Sequence, residues 1–345
     1  MRTSKTVLFA AVLLAACLCL STAGSVEAKD YKWEWKMATL APDGIGYAKQ
    51  MKTHVFPVIE EETNGELKIK VYWGGIMGDD EDYVKKMRIG QLHGAGFSGQ
   101  GSTIACPEMT VVELPFMFRN YDEVDYIKLK MRDKFDKILE KNGYRALAWT
   151  DQDFDQIYSS KYKLDSLNDF EKARFMTWYG PLEEELFKAL GATPVPVNVP
   201  EATTSVRQGV VDAAIGPAIW VVGSQSYNII KYVLPIKIRY SPGLCLVTMD
   251  AWNDLDEEYQ KRFHEIRYDV EKAYVEAVRK DNEKALDALL RYGIREVKVP
   301  EDELAEIKTR SRKVWEELAG ELYPKDVLHE MMANLEEYRE KNGDQ

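Results

Sequence analysis

Residues Leu164 to Val222 decide the fold, and they read LDSLNDFEKARFMTWYGPLEEELFKALGATPVPVNVPEATTSVRQGVVDAAIGPAIWVV. Short β-prone runs alternate here with short helical ones, in the order strand, helix, strand, short helix, strand. Ala173 to Trp178 is the first strand, and Val210 to Ile215 is the last. Ligands of an open α/β sheet bind beyond the carboxyl ends of its strands. We therefore expect the ligand near Met176–Trp178 and Ile215–Pro217.

The same stretch carries a resemblance to a known family. FEKARFMTW, ALGATPVPV and PEATTSVRQGVVDA succeed one another without a gap from Asp169 to Pro217, and LPFMFRNYDEV lies further upstream. Together these motifs resemble the solute receptors of TRAP (tripartite ATP-independent periplasmic) transporters, of the DctP type. The resemblance implies an α/β, two-domain periplasmic-binding-protein fold, with a central cleft and a long helix that spans both domains.

The rest of the chain fits such an organisation. An earlier strand–helix series has strands at Lys32–Met37, Leu67–Tyr72 and His93–Phe97. After Trp252, apolar residues recur at three- and four-residue steps, which predicts one long helix with Asp256 as N-cap and a stop at Gly293. We expect each strand series to build its own sheet, with a crossover near residues 150–160.

These patterns predict five segments. They are a signal peptide at 1–28, a first domain at 29–152 with 240–270, a second domain at 153–239 with 280–322, the long helix at 255–292, and a C-terminal helical segment at 323–345.

The first 28 residues read as an export signal. Arg2 and Lys5 precede the apolar run Thr6–Leu20, and Val26–Ala28 is a small-residue cleavage site. We expect a periplasmic protein, and Cys17, which follows Leu-Ala-Ala, leaves a lipoprotein open. No later run reaches about 18 apolar residues, so we expect the mature protein not to be embedded in the membrane.

Composition and motifs exclude several function classes. The formal net charge of −11 argues against nucleic acid as a partner. We find no G-x-S-x-G or H-E-x-x-H motif and no metal-ligand spacing among the histidines, so we expect no enzyme, metal or cofactor. Cys106 and Cys245 lie in apolar settings that favour buried free thiols, although export leaves a disulfide open.

The resemblance also points to ligand positions, and three of them differ from the family pattern. The arginine that clamps the ligand carboxylate in the family falls on Met176, a second arginine falls on Gln156, and an asparagine falls on Gly216. Methionine offers an adaptable apolar surface where arginine offers a planar fork of donors. Compact dicarboxylates are therefore not the expected ligands.

Other candidates follow from their place in the sequence. Arg174 is either a shifted cation or part of a surface pair, and Trp178 is either a ligand wall or core. Further candidates, by loop position or aromatic character, are Thr39, Phe97, Ser98, Trp149 and Trp220.

These observations predict an exported receptor that closes around a small organic anion with an apolar or aromatic part. The resemblance implies TRAP permease membrane subunits as partners, and we expect a monomer. A binding protein of an ABC importer or of a sensor, for a non-carboxylate ligand, is the first alternative. An exported hydrolase or isomerase on the same scaffold is the second.

Overall fold

The computed structural model describes residues 31–178 and 180–343, so the expected signal peptide, its cleavage site and Cys17 lie outside the described residues. The strands are β1 (Trp33–Thr39), β2 (Leu67–Tyr72), β3 (Gly94–Phe97), β4 (Tyr144–Ser159), β5 (Arg174–Thr177), β6 (Thr193–Pro196), β7 (Ala213–Gly216), β8 (Tyr232–Thr248) and β9 (Arg295–Glu296). The α-helices are α1 (Gly46–Gln50), α2 (Phe56–Glu62), α3 (Asp80–Arg88), α4 (Gly99–Ala105), α5 (Tyr121–Lys141), α6 (Leu167–Phe170), α7 (Pro181–Ala189), α8 (Ala202–Arg207), α9 (Ala218–Gly223), α10 (Met249–Asn253), α11 (Glu257–Tyr292), α12 (Glu301–Glu317) and α13 (Lys325–Asn342). A π-helical turn, Met51–Val55, joins α1 to α2, and a 3₁₀ segment, Pro107–Glu113, follows α4.

The strands form one hydrogen-bonded path in the order β2-β1-β3-β8-β4-β7-β5-β6, with β9 beside β8. The expectation of two separate sheets is therefore wrong. β4 has 16 residues and β8 has 17, and they pair antiparallel with each other along most of their length. Each is long enough to belong to both strand series, so the crossover expected near residues 150–160 is itself a strand. Register shifts within the pair, for example between Asp151 and Asp153, bend the shared strands.

The long helix after Trp252 is present as one element. α11 has 36 residues, begins after Asp256 and ends at Gly293, whose φ of 114° suits glycine. At about 1.5 Å per residue it is about 54 Å long. Its first turns pack into a core with β1, through Phe263, and its last turns pack into a core with β5 and β7, through Leu289. The helix thus contacts both strand series, as the periodicity predicted.

A buried cluster of charges ties these elements together. Arg239 on β8 is 1% exposed, and its Nε lies 2.7 Å from Oδ2 of Asp155, its cross-strand partner on β4. Its Nη2 lies 2.9 Å from Oε1 of Glu183 on α7, and its Nη1 lies 3.5 Å from Oε2 of Glu113. Burial raises the pKa of Glu113 to about 8, although Arg239 opposes the shift. One cation therefore faces three carboxyl groups drawn from separate parts of the chain.

Replacing Arg239 by Met should lower the free energy of unfolding by about 3–5 kcal/mol, because it leaves buried carboxylates without their cation. Urea unfolding followed by fluorescence measures the change. Arg174→Met is the matched control, since Arg174 pairs with Asp212 at the surface and should move the midpoint little. Equal effects of the two variants would contradict the role given to the cluster.

The free energy of unfolding should fall as the pH rises from 6.5 to 8. Burial raises the pKa of Glu113 to about 8 and that of Asp80 to about 7. Unfolded carboxyl groups release their protons near pH 4, so in this window the folded protein holds more protons than the unfolded chain. Burial lowers the pKa of His93, so this one imidazole is more protonated in the unfolded chain and opposes the effect of the two carboxyl groups. Urea midpoints at the two pH values test the slope, and Glu113→Gln should flatten it; a midpoint that rises with pH would refute the assignment.

Candidate functional site

A cavity of about 630 Å³ lies at the carboxyl ends of strands from both series. Thr39 ends β1, Phe97 ends β3, Trp178 follows β5 and Pro217 follows β7, and all four line it. The location is the one that open α/β sheets use for ligands. Apolar atoms make up most of the lining, and the volume is within the range of sites for drug-sized molecules.

α11 forms a shared wall of the cavity. Tyr274, Asp281, Lys284, Ala285 and Ala288 line it, and their spacing of three, four and seven residues places them along one helix face. The small residues at 285 and 288 leave room beside the helix. The wall is therefore continuous from the middle of α11 to its last turns.

The two strand series also touch each other around the cavity. Asp79 caps α3 in a capping box with Asp82, and its Oδ2 accepts a hydrogen bond of 3.1 Å from the backbone N–H of Val199. Asn282 on α11 accepts from the N–H of Ile219 at 3.1 Å and donates to the carbonyl of Gln152 at 2.8 Å. These bonds connect the two strand series at the border of the cavity.

Ser98 faces the cavity, and its hydroxyl hydrogen is already donated to a carboxylate. Its Oγ donates to Oδ2 of Asp80, which also accepts from the N–H groups of Ser98, at 2.9 Å, and Gly101, at 3.1 Å. Asp80 is fully buried, and among the described residues its Oδ1 has no hydrogen-bond partner. Burial raises its pKa to about 7, although Ser98 opposes the shift. Ser98 therefore offers lone pairs to a ligand and acts as an acceptor of a hydroxyl or amide hydrogen.

Two other side chains supply donors. Thr39 Oγ1 accepts from the N–H of Ala41 at 3.3 Å, which leaves its hydroxyl hydrogen for a ligand. Lys284 Nζ lies 3.5 Å from Oδ1 of Asp281 at the exposed edge of the cavity. Of the described lining residues, Lys284 alone is a lysine or arginine.

The structure brings half of the candidates from the sequence into this lining. Those five residues are Thr39, Phe97, Ser98, Trp178 and Trp220. The other five, which do not line it among the described residues, are Trp149, Gln156, Arg174, Met176 and Gly216.

Arg174 and Met176 lie away from the lining for different reasons. Arg174 begins β5, at the opposite end from the cavity, and forms two hydrogen bonds of 2.9 and 3.0 Å with the Asp212 carboxylate. Of the two alternatives for Arg174, a shifted ligand cation or part of a surface ion pair, the structure shows the surface ion pair. Met176 is 0% exposed and packs in the core behind Trp178. The side chain at the family's clamp position thus belongs to the core.

Gln156 forms hydrogen bonds with the backbone of the long strands, and Trp149 packs in the core. Gln156 Oε1 accepts from the N–H of Lys237 at 2.9 Å, and its Nε2 donates to the carbonyl of Phe154 at 3.2 Å. Lys237 has a φ of 51°, so this side chain supports an irregular point of β8. Trp149 is buried edge-on against Phe135.

Gly216 lies beneath a pair of tryptophans. Trp178 and Trp220 meet edge to face, with ring centroids 4.5 Å apart. A Cβ at position 216 would lie 3.1 Å from Cε3 of Trp220 and 3.2 Å from Cζ2 of Trp178, closer than ordinary contact. An asparagine, as in the family pattern, would crowd this pair. At position 216, the aromatic wall thus occupies the space where a polar ligand contact is expected.

The sequence analysis missed the contribution of α11 and of the first helix. Tyr274 and Lys284 on α11, Tyr47 on α1 and Met51 just after it all line the cavity, and none of them is a candidate from the sequence. The signal was present in α11, where alanines and polar residues interrupt the apolar stripe at positions 281–288.

Two further searches of the described residues give negative results. Within 31–178 and 180–343, no helix is both long and apolar enough to cross a membrane. The same residues hold no group of three or more His, Cys, Asp or Glu side chains arranged for a metal ion. Cys106 and Cys245 are free thiols.

Comparison with protein families gives a match over most of the chain. The profile of the bacterial extracellular solute-binding proteins, family 7 (DctP), matches residues 45–321. An uncharacterized protein of Haemophilus influenzae is 28% identical over 203 residues, which are 59% of this chain and 61% of that protein. The 2,3-diketo-L-gulonate-binding periplasmic protein YiaO of Escherichia coli is 22% identical, over 69% of this chain and 73% of its own length.

Solved structures share the fold. The sugar acid binding protein DctPAm of Advenella mimigardefordensis, in complex with galactonate, superposes with a TM-score of 0.83 at 20% identity, over 90% of this chain and 99% of that one. A TRAP periplasmic solute binding protein of Desulfovibrio salexigens, with bound orotic acid, gives 0.81 at 18% identity, over 90% and 99%. These likenesses confirm the predicted two-domain binding-protein fold.

Gly216→Ala should lower the free energy of unfolding by about 1–3 kcal/mol, because the new methyl group overpacks the tryptophan pair. Near-ultraviolet circular dichroism should change with it, since the two indoles must move apart. Gly223→Ala is the matched control, because a Cβ there meets only ordinary contacts at 3.7 Å or more. An unchanged spectrum and midpoint for Gly216→Ala would contradict this packing.

Proposed function

This chain belongs to the bacterial extracellular solute-binding proteins of family 7 (DctP), and from that premise we propose that it captures a small organic acid with an apolar or aromatic part. The cleft between the two strand series is the binding site, and a membrane permease of the TRAP type receives the ligand. The family consists of binding proteins, and we assign no catalytic step to this chain. The single observation that carries the ligand class is the largely apolar cavity with its Trp178–Trp220 wall.

The apolar lining supports a ligand with a substantial hydrophobic part. Trp178, Trp220 and Phe97 present aromatic surface to the cavity. Burying apolar surface contributes about 25 cal/mol per Å², and a rigid aromatic wall loses little side-chain freedom when it binds. Structures of the same fold hold acids as different as galactonate and orotic acid, so the scaffold accepts varied ligand bodies.

The polar groups support one carboxylate and one hydrogen-bond donor on the ligand. Lys284 faces the carboxylate, and the Thr39 hydroxyl donates to a ligand oxygen. Ser98 accepts from a ligand hydroxyl, because its own proton goes to Asp80. A second carboxylate would find no comparable set of donors and would lie near Asp151 and Asp281, which favours a monocarboxylate over a compact dicarboxylate.

Capture and release follow from the two-lobe arrangement. We propose lobes at residues 29–152 with 240–270 and at 153–239 with 280–322, which separate by hinge bending in β4 and β8. Breaking the bond between Asp79 and Val199 would then open the cleft. The receptor works in the periplasm as a monomer, and an ion gradient rather than an ATPase drives the permease.

A panel of acids tests the proposal. Phenylacetate and 3-phenyllactate should raise the melting temperature and bind in calorimetry more tightly than succinate or malate, because only the former fill the apolar cavity with one carboxylate. Lys284→Met should weaken the binding of 3-phenyllactate about tenfold, the effect of losing a hydrogen bond to a charged group.

Lys280→Met is the matched control, since Lys280 lies one turn earlier on α11 and does not line the cavity. Tight succinate binding with no response to either aryl acid would overturn the proposed ligand class. Equal losses of affinity for 3-phenyllactate in the two lysine variants would show that Lys284 does not contact the ligand.

A further inference from the structure

A second, smaller cavity adjoins the main one. This annex has a volume of about 90 Å³ and lies between β1, the π-helical turn and the first half of α11. Six residues line both cavities: Thr39, Met51, Gly96, Thr150, Cys245 and Tyr274. The annex is therefore a direct neighbour of the ligand cavity and shares a wall with it.

The annex is almost entirely apolar. Its walls include Val55, Phe56, Ile59, Ile69, Ile266 and Val270. Of the charged groups beside it, Arg267 pairs with Asp136, Glu271 with Arg132 and Arg145 with Glu140, and His264 is exposed to solvent. Apolar surface of this kind favours contact with hydrocarbon or aromatic groups over contact with water.

A flexible side chain stands between the two cavities. Met51 is the first residue of the π-helical turn, and its Cε lies 3.2 Å from the position of a Cβ on Gly96. The absence of a side chain at 96 gives Met51 room to lie across the junction. Methionine adapts its shape readily, and π-helical turns are frequent at functional sites.

The distance along α11 between the annex and Lys284 sets the minimum length of a ligand that reaches both. Tyr274 lines the junction, and Lys284 lies ten residues further along the same helix. At about 1.5 Å per residue the two positions are about 15 Å apart. A four-carbon acid cannot reach from one to the other.

We propose that the annex binds the apolar end of an elongated monocarboxylic acid whose carboxylate lies at Lys284. The inference rests on the proposed function and deepens it, because it names an amphiphilic acid with an alkyl or aryl-alkyl tail as the ligand class. The tail passes Met51, and the hydroxyl-bearing part of the molecule lies beside Thr39 and Ser98.

A homologous series of 2-hydroxy acids, from four to fourteen carbons, tests the annex by calorimetry. Affinity should rise about fourfold for each methylene that enters it, and should level off once the annex is full. Val55→Phe fills the annex with a ring and should bring the plateau to shorter chains, while short acids keep their affinity. Val55→Ala enlarges it and should move the plateau to longer ones.

Two comparisons keep the test decisive. Val210→Phe makes the same change at an exposed site and should leave the chain-length profile unchanged. Val270→Phe fills the annex from α11 and replaces Val55→Phe if that variant does not fold. If affinity depends on chain length in the same way for wild type and the filled variants, the ligand tail does not bind in the annex, while the proposed function stands. Failure of every acid to bind would overturn both.

Discussion

The charge imbalance around Arg239 is the constraint on which the rest of the structure depends. Three buried carboxyl groups converge on one guanidinium, and they come from β4, α7 and the 3₁₀ segment before α5. A buried charge without a partner costs several kcal/mol. The three segments that carry these carboxyl groups must therefore pack around Arg239. Because Arg239 and Asp155 are cross-strand partners on the two long strands, the cluster fixes the point where both strand series meet.

The same cluster reaches the ligand cavity through Glu183. Its Oε1 faces Arg239, and its Oε2 accepts a hydrogen bond of 2.8 Å from the backbone N–H of Trp178. The position of the aromatic wall is thus coupled to the buried charges. The hydrogen bond holds the backbone of Trp178 in place, because a bond to a buried carboxylate is stronger at low local dielectric.

The three residues that depart from the family pattern each have a structural role outside the cavity lining. Met176 lies in the core, Gln156 supports an irregular strand, and Gly216 gives the Trp178–Trp220 pair its space. An asparagine at position 216 would crowd the tryptophan pair, and an arginine at position 176 would enter a fully buried core. The polar groups of the mostly apolar cavity include Lys284 on α11 and Ser98, which is bonded to Asp80, beside β3.

Local patterns in the chain encode a large part of the architecture. The strand–helix order, the bounds of α11 at Asp256 and Gly293, and a ligand site at the carboxyl ends of strands follow from spacing, caps and general topology. Only the tertiary structure decided that β4 and β8 join both series in one sheet, that Arg174 pairs with Asp212, and that Lys284 faces the cavity. The physical reason is the separation along the chain over which each interaction acts. A cap or a periodic stripe acts within a few residues, whereas Asp155 and Arg239 are 84 residues apart and meet only when the whole chain packs.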